Sequence, residues 1–113
     1  MKNPQKNPMQ LEGSNIIVTG AGQGIGEAVS RLVVDLGGKA IMVDVQGDKI
    51  NALAEELGNG NAEVHVGSVA DPGFVQEMVG NAISTNGAIH GLVNNAGILS
   101  NTKAVETSPE EWR

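Results

Sequence analysis

A chain of 113 residues with 13 acidic and 7 basic side chains holds one domain, or part of one, at a formal charge of −6. No block of basic residues is present to attract a nucleic-acid backbone or an anionic membrane surface. With no cysteine there is no disulfide framework, thiolate nucleophile or thiolate metal site, and no apolar run is long enough for a signal peptide or a membrane span. A cytoplasmic protein is the expectation.

Residues 1–10 are polar, carry prolines at positions 4 and 8, and read as a flexible tail. From Leu11 onward two periods alternate. Asn15–Thr19 is a short β-branched run and reads as a buried strand. Thr19-Gly20-Ala21-Gly22-Gln23-Gly24-Ile25-Gly26 follows, a glycine-rich turn into a helix expected over Ile25–Leu36. Ile25, Ala28, Val29, Leu32, Val33 and Leu36 are expected on its inner face. Such a turn is a phosphate site made of backbone. Glycine permits the sharp bend and close approach, and the first N–H groups of a helix have no internal partners. The helix dipole favours an anion at the same place, so the turn suits a pyrophosphate.

Gly37-Gly38 ends that helix, and Lys39–Asp44 is the second strand. Ile50, Leu53, Ala54 and Leu57 mark a second helix closed by Gly58, and Ala62–Val66 is the third strand. Asp71-Pro72 opens a third helix as cap and first residue, with Val75, Met78, Val79, Ala82 and Ile83 as its apolar face. Asn86-Gly87 ends it, and Gly91–Asn94 is the fourth strand. Strands separated by helices imply right-handed crossovers and a parallel sheet. The expected fold class is α/β, a Rossmann-type doubly wound sheet in the order 3-2-1-4. Ser108-Pro109-Glu110-Glu111 then forms a capping box with only Trp112 and Arg113 after it. The sequence announces a helix it does not contain, so residues 11–113 are expected to be the N-terminal part of a single, truncated domain.

Two further segments carry chemistry. Asp44 ends the second strand, where a carboxylate accepts hydrogen bonds from adenosine ribose hydroxyls and repels a 2′-phosphate. No Arg or Lys stands in the glycine turn; Gln23 occupies the place before Gly24. Both features favour NAD over NADP. Asn94-Asn95-Ala96-Gly97 closes the fourth strand at the edge where ligands bind in such sheets. Alone it is compatible with a simple turn.

The turn T-G-A-G-Q-G-I-G, then Asp44, then N-N-A-G, in this order, resembles the short-chain dehydrogenase/reductase family. The resemblance runs from about Leu11 to Arg113. It implies that Gly20, Gly24 and Gly26, with backbone at Gln23 and Ile25, hold the pyrophosphate, and that Asp44 binds the adenosine ribose. It places Val69 on the adenine ring, Ser68 at the adenine edge, and Asn94, Ala96 and Gly97 near the ribose. The family usually has Asp where this chain has Ser68. The family's active site uses an Asn, a Ser, and a Tyr and Lys four apart, all beyond Arg113, and the chain has no tyrosine. The implied parent is a homo-oligomeric enzyme moving a hydride between nicotinamide and an alcohol or carbonyl carbon, with the 113 residues alone inactive. Two other readings stay open at this stage. One is a non-catalytic dinucleotide-binding module or regulator. The other is a methyltransferase, whose glycine turn and strand-two acid also bind an adenosyl group.

Overall fold

The computed structural model describes residues 11–95. The expected tail over residues 1–10, Ala96, Gly97 and the helix start at Ser108 lie outside them. The described residues form β1 (Asn15–Thr19), α1 (Gly24–Asp35), β2 (Lys39–Asp44), α2 (Gly47–Leu57), β3 (Ala62–Val66), α3 (Pro72–Asn86) and β4 (Gly91–Asn94). All pairings are parallel and the sheet runs β3-β2-β1-β4, the doubly wound half expected from the sequence.

The two-residue period of the strands divides the core. Val18 lies between Met42 and Val93, while Ile17 lies between Ile41 and Leu92. Ile16, Val18, Ala40 and Met42 meet Val33 of α1 and Ile50 and Leu53 of α2. Ile17, Ile41 and Val43 meet Met78 and Ala82 of α3 on the opposite face. The continuous apolar runs in β1 and β2 follow from cover on both faces. β3 lies at an edge and alternates instead: Ala62 and Val64 pack with the α1–α2 layer, while Glu63 and His65 are polar.

Those polar side chains belong to a bonded network with the last turn of α3. Lys39 Nζ donates to Asn86 Oδ1 at 2.7 Å and lies 3.3 Å from Glu63 Oε1. Asn86 Nδ2 donates to the same Glu63 oxygen at 2.9 Å, and His65 Nε2 lies 2.6 Å from Glu63 Oε2. On the surface of the other layer, Arg31 pairs with Glu27 one turn back on α1 and reaches Glu56 of α2.

The face of α1 differs from the expected one. Ile25 is 63% exposed and Leu32 55%, and Ala28 is exposed as well. Val33 is buried and Val29 packs against the core, as expected, but the rest of the face toward the sheet is made by Gly26 and Ser30. Gly26 and Ser30 are small, so α1 approaches the strands closely, and the Ser30 hydroxyl donates to its own helix at Gly26 O. Ile83, expected on the inner face of α3, is 45% exposed. The end of α1 follows expectation: Gly37 has φ +93°, its N–H reaches Val34 O, and Gly38 N–H reaches Val33 O. That pair of bonds is a Schellman motif, which requires a left-handed residue at Gly37.

Candidate functional site

The chain leaves β1 at Thr19 and turns through Gly20, at φ +63°, and Gly24, at φ +58°. A side chain is disfavoured at both. Gly26 serves a different purpose. A Cβ there would collide with the Gly20 carbonyl and touch Ala21 Cα at 3.0 Å, so only hydrogen lets α1 seat on the turn. At the helix start Gln23 is extended and contributes no side-chain cap. Gly24 and Ile25 are exposed there, so the opening N–H groups of α1 are accessible to an anion.

Asp44 sits beside this turn at 9% exposure. Its Oδ2 accepts from Gly22 N–H at 2.8 Å and its Oδ1 from Gln46 N–H at 2.9 Å. The turn is also pinned to β2 by Ala21 N–H on Val43 O at 3.2 Å. Two backbone donors thus fix the carboxylate, and each oxygen keeps a lone pair for a ligand hydroxyl. No ion pair to Asp44 occurs among the described residues.

These parts open onto one cleft of about 370 Å³, in the size range of small-molecule sites. Gly20, Gln23, Gly24, Ile25, Asp44, Ser68 and Val69 all line it. Gly26 lies behind the lining, packed under the turn. Asn94 is turned to β1, where its Oδ1 accepts from Thr19 Oγ1 at 3.0 Å. Asn95 borders the cleft instead and donates to Gly20 O at 3.3 Å. Ser68 Oγ accepts from Ala70 N–H at 3.0 Å, which leaves its hydroxyl hydrogen free to donate.

Val45, Gln46 and Gly67 also line the cleft, beside Asn95. Asn95 belongs to the Asn94-Asn95-Ala96-Gly97 segment, whereas motif matching passed over Val45, Gln46 and Gly67. The signal that finds them is position: each follows the carboxyl end of a strand, where doubly wound sheets bind ligands. The histidines have structural partners. His65 meets Glu63, and His90 Nδ1 accepts from Asn15 N–H at 2.9 Å. Among the described residues no group of three or more His, Cys, Asp or Glu could hold a metal ion, and no helix is long and apolar enough to cross a membrane.

A sequence profile described as short chain dehydrogenase matches residues 14–113. The chain belongs to the short-chain dehydrogenase family. It is 38% identical over 93 residues to 1-deoxy-11-beta-hydroxypentalenate dehydrogenase of Streptomyces avermitilis, covering 80% of this chain and 34% of that one. Among family members of known structure, 3-ketoacyl-(acyl-carrier-protein) reductase from Brucella melitensis, complexed with NADH, superposes with a TM-score of 0.69 at 29% identity, over 73% of this chain and 33% of that one. A metagenomic short-chain oxidoreductase in complex with NADP gives a TM-score of 0.69 at 26% identity, over 74% and 38%. The chain therefore spans between 33% and 38% of the length of these family members.

Proposed function

We propose that this chain is the adenosine- and pyrophosphate-holding part of a cytoplasmic, homo-oligomeric oxidoreductase that works with NAD on an alcohol or carbonyl substrate. The observation that carries the reading is one cleft containing both the uncapped start of α1 and the fixed Asp44 carboxylate. The backbone of Gly20, Gln23, Gly24 and Ile25 receives the pyrophosphate, and Gly26 lets α1 come close enough to aim its N–H groups. Asp44 accepts the ribose hydroxyls. Val69 packs on the adenine ring, and Ser68 donates to its edge. Asn95 braces the turn through Gly20 O, and the Thr19–Asn94 bond keeps the end of β1 in register with β4. Ala96 and Gly97 complete the ribose side in this reading.

The preference for NAD rests on charge. A 2′-phosphate would bring a dianion against the Asp44 carboxylate, and the glycine turn holds no cation to offset it. When bound, the nicotinamide supplies the hydride acceptor or donor. The chain's own contribution is binding and orientation. With no tyrosine in the 113 residues, the family's proton-transferring group is missing, so the isolated chain binds cofactor without turnover.

Calorimetric titration tests the reading. NADH is expected to bind the isolated chain, Gly24→Asp to abolish binding by placing a carboxylate at the helix start, and Asp44→Ala to narrow the gap between NAD(H) and NADP(H). Tighter NADP(H) binding to the unmutated chain would overturn the NAD assignment. Binding of S-adenosylmethionine in place of NADH would overturn the dinucleotide reading as a whole.

A further inference from the structure

We infer that Lys49 is a specificity-determining residue at the ribose rim of the cleft, a cation placed to receive a 2′-phosphate and to moderate the preference that Asp44 sets. The inference rests on the dinucleotide reading above and concerns the same site.

Lys49 lies in the first turn of α2, and its stem closes on the glycine turn. A Cβ built on Gly22 would lie 3.3 Å from Lys49 Cβ and 2.9 Å from Asp44 Oδ2. The lysine stem, the turn and the ribose-binding carboxylate therefore converge on one point. The ammonium donates to Gln23 Oε1 at 3.2 Å, and Gln23 lines the cleft. Lys49 is thus tied to the wall of the cleft from outside the glycine motif.

Its partners set it apart from the other cations. Of Arg31, Lys39 and Lys49, the Lys and Arg residues among those described, Arg31 is clamped by Glu27 and Glu56, and Lys39 by Glu63. Lys49 has a neutral amide as its partner and no carboxylate ion pair among the described residues. Capturing a phosphate there breaks one neutral hydrogen bond and no ion pair, and an ammonium with rotatable donors is a capable phosphate ligand. The acids close by are Asp44, whose oxygens are engaged by backbone N–H groups, and Asp48, exposed on the same helical turn. A 2′-phosphate thus meets repulsion from Asp44 and attraction from Lys49, and the protein is inferred to discriminate less sharply than Asp44 alone would dictate.

The test uses the whole 113-residue chain. Adenosine 5′-monophosphate and adenosine 2′,5′-bisphosphate are titrated into the unmutated chain, Lys49→Gln, Asp44→Asn and the double variant, with circular dichroism verifying the fold. The readout is the ratio of the two affinities. Lys49→Gln is expected to shift that ratio about three- to fivefold against the bisphosphate, the range an exposed charge pair supports. The shift should shrink as ionic strength rises from about 0.05 to about 0.3 M. Lys49→Arg should retain the ratio. Asp44→Asn should move it toward the bisphosphate, and by less when Lys49→Gln is added. A ratio unmoved by Lys49→Gln on both backgrounds would overturn the role of Lys49 and leave the dinucleotide reading standing. Failure of the folded chain to bind either nucleotide would overturn both.

Discussion

The starts of α1 and α3 occupy equivalent places in the topology, yet they treat their free N–H groups in opposite ways. Each helix follows a strand of the same parallel sheet. At α3, Asp71 Oδ1 accepts from Gly73 N–H at 3.0 Å and Phe74 N–H at 3.4 Å, and Pro72 removes one donor altogether. At α1, no side chain caps the helix and glycines keep the approach open. The same contrast holds for acids. Glu63 is satisfied by Lys39, Asn86 and His65, whereas Asp44 is fixed by backbone alone and faces the cleft. Polar groups that answer to the fold are closed off by side chains. Those at the cleft, assigned here to the proposed cofactor, are held in place and left incomplete.

The sharpest way to break the comparison is at the seat of α1. Gly26→Ala would press a methyl group into the Gly20 carbonyl, a backbone atom that cannot rotate away. The expected cost is about 3 kcal/mol, the upper end for overpacking, together with loss of NADH binding. Gly24→Ala has open space around it and strain only from φ +58°, so its expected cost is about 1 kcal/mol. Urea denaturation of both variants gives the ranking, and a larger loss for Gly24→Ala would invert the roles assigned to these two glycines.

Exchanging the caps is the next test. Asp71→Ala should destabilise the chain by about 1 kcal/mol and leave NADH affinity unchanged. Gln23→Asp should do the reverse. A carboxylate at the start of α1 suits the helix by about 0.5 kcal/mol but competes with the pyrophosphate, so NADH binding should weaken about tenfold. If both substitutions affect only stability, the open start of α1 has no bearing on the ligand.

The strands were legible because their apolar runs were bounded by glycine and polar residues, and Asp44 and the glycine turn were legible because their spacing encodes local geometry. What stayed hidden was relational. Two apolar stripes run side by side on α1, and periodicity cannot show that small residues at Gly26 and Ser30 draw the helix in and leave Ile25 and Leu32 outside. Asn94 and Asn95 are equivalent as letters, and only the fold sets the first, the last residue of β4, against Thr19 and the second, just past the strand, on the cleft. Lys49 is 26 positions from Gln23, so no local motif joins them.

A pH-dependent effect is expected at the satisfied acid. Burial is the largest single influence on Glu63 and pushes its pKa up; hydrogen bonds from Asn86, His65 and Lys39 together outweigh it and hold the carboxyl below its ordinary value of 4.5. A carboxyl that binds its proton less readily in the folded chain makes the unfolded state the first to protonate as pH falls. Its stabilising contribution is therefore complete above about pH 4.5 and is lost as pH falls from there through the lowered folded value. Glu63→Gln should cost about 1 kcal/mol near neutral pH, in keeping with a hydrogen-bonded charge that is partly open to solvent. The gap between variant and parent should narrow between neutral pH and about pH 3, where the carboxyl of the unfolded parent is largely protonated. Urea midpoints at the two pH values measure it. An equal gap at both would mean that the network under α3 acts through shape and neutral hydrogen bonds, and the contrast drawn with Asp44 would then rest on geometry without charge.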